Sequence, residues 1–302
     1  MRIAFLGTSE FAAAVLERLA RSDHRPELVL SRPDRPRGRG RRVAAPAVAE
    51  RARTLEIALE QPESVNEPEV AARIAQARPD AVVVCAFGAL IKEPLLSEHE
   101  LLNVHPSLLP RWRGAAPIER AIMAGDERTG VSIMRLTAGL DSGPVSLAAP
   151  ERIAPRDTYG SLAARLSTLG GELLVRALDL LAAGELAFVE QEETGVTYAE
   201  KIGPADRLLD PTRQASELEL LVRALDPHIG ARVVPAGAAG DGPMLGVRRA
   251  RVASDSTPAG TLTAVEGRLL YGASDRALEL LEVQPPGSRA MDAGSYLRGH
   301  AL

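Results

Sequence analysis

The sequence predicts an α/β domain with a mostly parallel sheet, followed by a small C-terminal domain rich in strands. In the first half, short apolar runs alternate with segments of helical spacing. The run 81–86 is apolar without interruption, which is typical of a strand buried on both faces of a parallel sheet. Beyond residue 210, short apolar runs lie between glycine-rich turns. A chain of 302 residues is long enough for one large and one smaller domain.

The first-half elements follow from apolar periodicity. Residues 32–46, rich in proline, glycine and arginine, are predicted to form a loop. Parallel sheets of this kind usually bind ligands at the carboxyl ends of their strands. The predicted strands are 2–6, 28–30, 81–86 and 101–105, and the predicted helices are 11–20, 47–53, 69–77 and 158–181.

The second half changes character after a polar stretch without sustained periodicity. We place a domain at 1–189, a linker at 190–206 and a second domain at 207–302. The second domain begins with a helix at 217–225 and continues with short apolar runs, which predict a small β-barrel or sandwich. These runs are 232–234, 244–252, 260–264, 268–271 and 277–283.

Composition excludes several classes of protein. The net charge is −4, so any nucleic-acid surface must be local. The first apolar run is too short for a signal peptide, and no run of about 18 apolar residues predicts a membrane span. Cys85 is the single cysteine, and the five histidines include no i, i+4 pair, so no metal site is expected. We therefore expect a cytoplasmic protein.

The glycine turn after the first strand does not indicate dinucleotide binding. Gly7 is followed by no glycine before Gly38, so the G-x-G-x-x-G pattern is absent. A tight strand-to-helix turn is the better interpretation.

Asn103 and His105 end a predicted strand. Alternate side chains of a strand share a face, so an amide donor and a titratable imidazole lie side by side. The amide could bind a developing oxyanion, and the imidazole could take a proton near neutral pH. On spacing alone, hydrogen bonding of both side chains to backbone at the strand end is the favoured alternative.

Asp141 lies between glycines, in a segment that predicts a tight exposed loop. Its carboxylate could orient His105, stabilise the imidazolium or position a water. Taken alone, an ordinary turn aspartate is the favoured alternative.

An arginine-rich run covers residues 32–42, with six arginines and one aspartate. Clustered arginine with glycine favours phosphate contact and ordering on binding. A solvated charge run is the alternative. Prolines and glycines keep these arginines from pairing along a helix, which favours nucleic-acid contact.

The 14-residue run 105–118, from His105 through Trp112 to Ile118, closely resembles the signature of methionyl-tRNA formyltransferases. Flanking segments resemble that family in the same order, so the similarity spans nearly the whole chain. These segments are 5–8, 33–36, 86–88, 139–143, 197–201 and 281–287.

The resemblance implies a Rossmann-like formyltransferase domain and a C-terminal OB-like barrel. It implies direct transfer of the formyl group of 10-formyltetrahydrofolate to the α-amine of initiator methionyl-tRNA by a monomer without a metal. The implied catalytic residues are Asn103, His105 and Asp141. The implied folate contacts are Ser107, Leu108, Leu109 and Pro110, together with Phe87, Gly88 and Leu90 near the pterin ring. The implied tRNA contacts are Arg37, Arg39, Arg41 and Arg42.

The chain departs from the family pattern in its second half. Asp210 is followed by proline where the family often has tryptophan, and aromatic residues common around Pro227 are missing. Two other functions remain open. A formyltransferase for an amino sugar nucleotide could share the three catalytic residues but would not need the arginine-rich run. A non-catalytic tRNA-binding protein would not need Asn103 and His105 on one face.

Overall fold

The computed structural model of the chain describes residues 1–37, 42–234 and 244–300. Within these residues the strands are β1 (Ile3–Gly7), β2 (Leu28–Leu30), β3 (Arg35–Arg37), β4 (Arg42–Ala44), β5 (Ala58–Glu60), β6 (Ala81–Cys85), β7 (Leu101–His105), β8 (Arg113–Gly114), β9 (Arg128–Arg135), β10 (Val145–Arg152), β11 (Tyr198–Ala199), β12 (Ala231–Val233), β13 (Leu245–Val252), β14 (Leu262–Val265), β15 (Arg268–Gly272), β16 (Ala277–Gln284) and β17 (Met291–Asp292). The helices are α1 (Glu10–Ala20), α2 (Ala47–Thr54), α3 (Pro68–Ala77), α4 (Leu95–Glu98), α5 (Pro117–Met123), α6 (Tyr159–Ala183), α7 (Ala215–Leu225) and α8 (Ala293–Gly299), with a 3-10 turn at Ala205–Arg207.

The chain divides into two compact units. The N-terminal unit comprises Met1–Pro117, Arg128–Arg152 and Ala163–Ala199. The C-terminal unit comprises Ile118–Glu127, Ile153–Leu162 and Glu200–Leu302. The predicted domain limits of 1–189 and 207–302, with a linker at 190–206, stay a prediction.

A seven-stranded sheet, in the order β10-β9-β7-β6-β1-β2-β5, forms the centre of the N-terminal unit. The neighbouring strands β5, β2, β1, β6 and β7 pair in parallel. Strand β9 pairs antiparallel with both β7 and β10. Every residue of β1 and β6 is buried, as continuous apolar runs predict. The predicted mostly parallel α/β sheet is therefore confirmed.

Capping and burial explain why α1 begins where it does. The Ser9 side chain accepts a hydrogen bond from the Ala12 N–H (3.2 Å), and Glu10 lies in the first turn. Leu16 and Leu19 are fully buried. The turn at Gly7 therefore leads directly into a capped helix, as the sequence predicts.

Two predictions about loops need correction. The predicted loop 32–46 contains the hairpin β3–β4, which backbone pairing forms without an apolar pattern. The polar stretch predicted as linker contains β11, which pairs in parallel with β8. Both strand pairs are two or three residues long, too short for alternation to be visible in the sequence.

The C-terminal unit contains an antiparallel sheet in the order β12-β13-β16-β15-β14, with β17 beside β16. Its inward residues pack with α7 and α8 in one apolar core that includes Leu225, Val247 and Leu280. The predicted separate β-rich domain is confirmed. Closure of this sheet into an OB-like barrel stays a prediction. No helix within the described residues combines the length and apolar character needed to span a membrane.

Candidate active site

Strand β7 presents Asn103 and His105 on one face at its carboxyl end. It lies between β6 and β9, in register with Met134 opposite Asn103 and Ser132 opposite His105. Both side chains are buried, with 8% of Asn103 and 4% of His105 exposed. Both also line the same cavity, so the alternation expected from the sequence places them together.

Backbone contact fixes the orientation of the His105 ring. Nε2 lies 2.9 Å from the Trp112 carbonyl oxygen. A carbonyl can only accept, so the hydrogen of the neutral ring is assigned to Nε2 and Nδ1 carries the free lone pair. Nδ1 lies 3.6 Å from Asp141 Oδ2. The ring therefore turns its basic nitrogen towards the carboxylate.

Asp141 reaches His105 from the loop between β9 and β10. Its Oδ2 also accepts a hydrogen bond from the Gly114 N–H (2.8 Å). Its φ of 44° is left-handed, an uncommon conformation for a residue other than glycine. At Gly114 (φ 125°), an added Cβ would lie 2.6 Å from the Ala199 carbonyl oxygen, so glycine is required there.

All three predicted catalytic side chains line one cavity of about 520 Å³. This size is within the range of small-molecule sites, about 300–1,000 Å³. Phe87, Gly88 and Leu90 also line it. Apolar and backbone surface from these loops thus faces three polar side chains, which is a usual arrangement for an organic ligand site.

Hydrogen bonds hold the loop after β6 against its neighbours. The Thr8 hydroxyl donates to the Phe87 carbonyl (2.7 Å). The Asn66 amide donates to the Leu90 carbonyl (2.8 Å) and its oxygen accepts from the Lys92 N–H (2.8 Å). Asn66 was not predicted from the sequence, because an amide that binds backbone groups follows no motif.

Ser107, Leu108, Leu109 and Pro110, by contrast, are not among the residues lining this cavity. Ser107 is fully buried, and its hydroxyl donates to the Arg111 carbonyl (2.6 Å). The Ser132 hydroxyl donates to the Ser107 carbonyl (2.7 Å) and accepts from the Leu109 N–H (3.2 Å). This segment packs on β9 and supports the strand end, and its predicted folate contact stays a prediction.

The arginine-rich run is only partly described. Arg37 and Arg42 pair through backbone in the hairpin, whereas Arg39 and Arg41 lie outside the described residues. At the base of the hairpin, Arg35 forms an ion pair with Glu63. The predicted tRNA contacts stay a prediction.

No metal site was expected, and within the described residues no group of three or more histidine, cysteine or acidic side chains is arranged to hold a metal. Cys85 is fully buried in β6, and burial raises the pKa of its thiol. It is therefore unsuited to act as a nucleophile.

Comparison with known proteins identifies the family. A model described as formyl transferase matches residues 1–178, and one described as formyl transferase, C-terminal domain, matches residues 201–301. A methionyl-tRNA formyltransferase from Aromatoleum aromaticum is 41% identical over 99% of this chain and 94% of its own. The chain belongs to the methionyl-tRNA formyltransferase family. A second family member, from Methylococcus capsulatus, is 42% identical over 100% of this chain and 98% of its own. The resemblance drawn from the sequence is thus confirmed.

A solved structure supports the fold. HypX from Aquifex aeolicus in complex with tetrahydrofolic acid superposes with a TM-score of 0.66 at 18% identity. The match covers 98% of this chain and 47% of the HypX chain, so the chain spans about half the length of that protein.

Proposed function

We propose that this protein transfers the formyl group of 10-formyltetrahydrofolate to the α-amine of initiator methionyl-tRNA. The observation that carries the proposal is the convergence of Asn103, His105 and Asp141 on one cavity, with the basic nitrogen of His105 unprotonated in the neutral ring. Family relatives named methionyl-tRNA formyltransferase support the acceptor. The tetrahydrofolic acid complex of HypX supports a reduced folate as the donor.

The cavity suits a reduced folate. A pterin ring is flat, largely apolar on its faces and edged with hydrogen-bonding groups. Phe87, Gly88 and Leu90 provide apolar and backbone surface for it, and Asn66 and Thr8 hold that loop in place.

His105 is proposed to move the proton. The neutral amine attacks the formyl carbon, a C–N bond forms, and the tetrahedral intermediate collapses with cleavage of the carbon bond to N10. Nδ1 takes the proton from the attacking amine and returns it to the departing N10, acting as general base and then as general acid. Asp141, 3.6 Å from Nδ1, stabilises the imidazolium between these steps.

Asn103 is proposed to stabilise the oxyanion. Within the described residues its side-chain amide forms no hydrogen bond, although the side chain is 8% exposed. An amide held without a partner at the cavity wall can donate to the oxygen on which negative charge develops. A donor of this kind contributes about 3 kcal/mol to transition-state stabilisation.

Assays with three acceptors test the proposal. Purified protein is given 10-formyltetrahydrofolate with charged initiator methionyl-tRNA, with charged elongator methionyl-tRNA, or with a nucleotide-linked amino sugar. We expect formylmethionine on the initiator tRNA and much slower turnover with the other two. Turnover on the sugar amine without product on either tRNA would replace the proposal with the amino sugar alternative.

The arginine-rich run is proposed to bind tRNA phosphates. Replacing Arg37, Arg39, Arg41 and Arg42 by glutamine should raise the KM for tRNA. The slope of log KM against log salt concentration should also fall by about one unit for each phosphate that is no longer bound. The KM for the folate is the control and should not change. An unchanged salt slope would reject this role.

The proposed function also includes action as a monomer in the cytoplasm. Sedimentation can test the oligomeric state, and cell fractionation can test the location.

A further inference from the structure

The segment 191–199, which lies within the predicted linker 190–206, contacts both loops that support His105. The Thr197 hydroxyl accepts a hydrogen bond from the Trp112 N–H (2.9 Å), and the Trp112 carbonyl contacts His105. At the other end of the segment, Gln191 contacts the loop of Asp141. The segment therefore reaches the residues on both sides of the imidazole.

Both ends of the Gln191 side-chain amide form hydrogen bonds, the nitrogen with two backbone carbonyls and the oxygen with one arginine. Nε2 donates to the Asp141 carbonyl (2.8 Å) and to the Gly143 carbonyl (2.7 Å). Oε1 accepts a hydrogen bond from Arg113 Nε (3.0 Å). Because Arg113 can only donate, it fixes which end of the amide faces the two carbonyls.

These contacts surround Asp141 on two sides. Gln191 binds its backbone carbonyl, while the Gly114 N–H, next in sequence to Arg113, binds its carboxylate. Asp141 is left-handed (φ 44°), a conformation that costs about 1 kcal/mol or more and needs support from its surroundings. Without Gln191, the loop would lack two of the hydrogen bonds that keep the carboxylate beside His105.

We propose that Gln191 is a positioning residue that holds the Asp141 carboxylate beside Nδ1 of His105. The proposal rests on the proposed function, in which Asp141 stabilises the His105 imidazolium. Gln191 does not line the cavity, so its effect on turnover passes through Asp141.

Gln191→Met tests the proposal, because methionine keeps a similar length and volume but cannot donate. We expect kcat to fall about 10- to 100-fold, as for a modest displacement of a reacting group, with little change in either KM. In a plot of kcat against pH, the acidic limb should move to lower pH, because the His105 imidazolium loses part of the negative charge that stabilises it. Gln76→Met, at an exposed position on α3, is the matched control and should leave kcat and the profile unchanged.

A double-variant cycle separates positioning from general destabilisation. Asp141→Asn should move the acidic limb in the same direction, and adding Gln191→Met to it should move the limb no further. A loss of kcat with an unmoved limb, or additive effects in the cycle, would overturn the proposal. Gln191→Leu, which also lacks the donors and carries no charge, replaces Gln191→Met if the latter does not fold.

A readout without substrate keeps this inference distinct from the proposed function. NMR titration of the His105 ring should show its midpoint at lower pH in Gln191→Met than in the wild type. An unmoved midpoint would refute the role of Gln191, even if methionyl-tRNA is formylated. A moved midpoint in a protein that does not formylate methionyl-tRNA would support the positioning role of Gln191 and reject the proposed substrate.

Discussion

The C-terminal sheet and the N-terminal cavity hold their polar side chains in different surroundings. In the C-terminal unit, Arg251 and Glu279 share two hydrogen bonds (2.9 and 3.1 Å), and Arg268 and Asp255 share two more (2.9 Å each). In the N-terminal unit, the Asn103 amide faces a cavity without a hydrogen-bond partner within the described residues, and His105 Nδ1 lies 3.6 Å from the Asp141 carboxylate. At the wall of a cavity, an amide without a protein partner can donate to the negative charge that develops in a transition state.

Sheet topology accounts for part of this difference. The parallel strands β6 and β7 bring their carboxyl ends to one edge, and the segments that follow them line one cavity together with the loop after the antiparallel strand β9. Antiparallel strands instead place opposite side chains directly across from one another, and Arg251 of β13 pairs with Glu279 of β16 in this way. Variants in each unit can test whether catalysis and stability separate in this way.

The largest effect is expected for His105→Ala. Loss of the proton-transfer group should lower kcat by about 10²- to 10⁴-fold, with a small change in KM. His300→Ala, at an exposed position of the C-terminal unit, is the control and should retain full activity. Equal losses from both variants would remove the distinction between the units.

Asn103→Ala should have the next largest effect. Removing one oxyanion donor should reduce kcat by about 10²- to 10³-fold. Steady-state kinetics with both substrates measure the loss, and the unfolding free energy should stay close to that of the wild type because the amide has no hydrogen-bond partner within the described residues. A large loss of stability with normal kcat would assign Asn103 a structural role.

Tyr271→Phe tests the C-terminal unit. The buried Tyr271 hydroxyl donates to the Leu209 carbonyl (2.7 Å), and burial raises the pKa of Tyr271 to about 12. Its removal leaves that carbonyl unpaired and should lower the unfolding free energy by about 1–3 kcal/mol without changing kcat. Tyr198→Phe, whose side chain is 59% exposed, is the matched control for denaturant unfolding. A stability unaffected by Tyr271→Phe would contradict the structural role of this bond.

The smallest effect concerns Asp206. A hydrogen bond from the Gly203 N–H is the main cause of the lowered pKa of the Asp206 carboxyl. The Arg120 guanidinium lowers this pKa further. Because this pKa is lower in the folded state than in the unfolded state, the carboxylate adds stability at pH values above the unfolded pKa of about 3.9. This stability disappears as pH falls through the folded pKa. The pair is partly exposed, so Asp206→Asn should cost about 0.5 kcal/mol at neutral pH.

Unfolding measured at several pH values checks this expectation. The difference between wild type and Asp206→Asn should shrink towards zero in strong acid, when the carboxylate is protonated in both states of the wild type. A difference that stays constant down to about pH 2 would mean that charge is not its origin.

The predictions from sequence succeeded where apolar side chains formed a pattern and failed where short strands form through backbone pairing alone. Apolar runs predicted β1 and β6, a shorter segment ending before Pro106 predicted β7, and helical spacing predicted α1 and α6 within a few residues. The hairpin β3–β4 and the pair β8–β11 were missed, because their short strands depend on backbone pairing, which any side chain permits. For the same reason Gln191 escaped notice, since its partners are mostly backbone carbonyls.

The sequence by itself determined that Asn103 and His105 share a face, because the period of a strand is two and needs no partner to be known. It also determined the family, through the run 105–118. Only the tertiary structure decided that Asp141 reaches Nδ1 and that the Trp112 carbonyl holds Nε2. Both contacts depend on how loops close over the sheet edge. The Trp112 carbonyl is a backbone acceptor common to all residues, so its contact leaves no signature in the sequence.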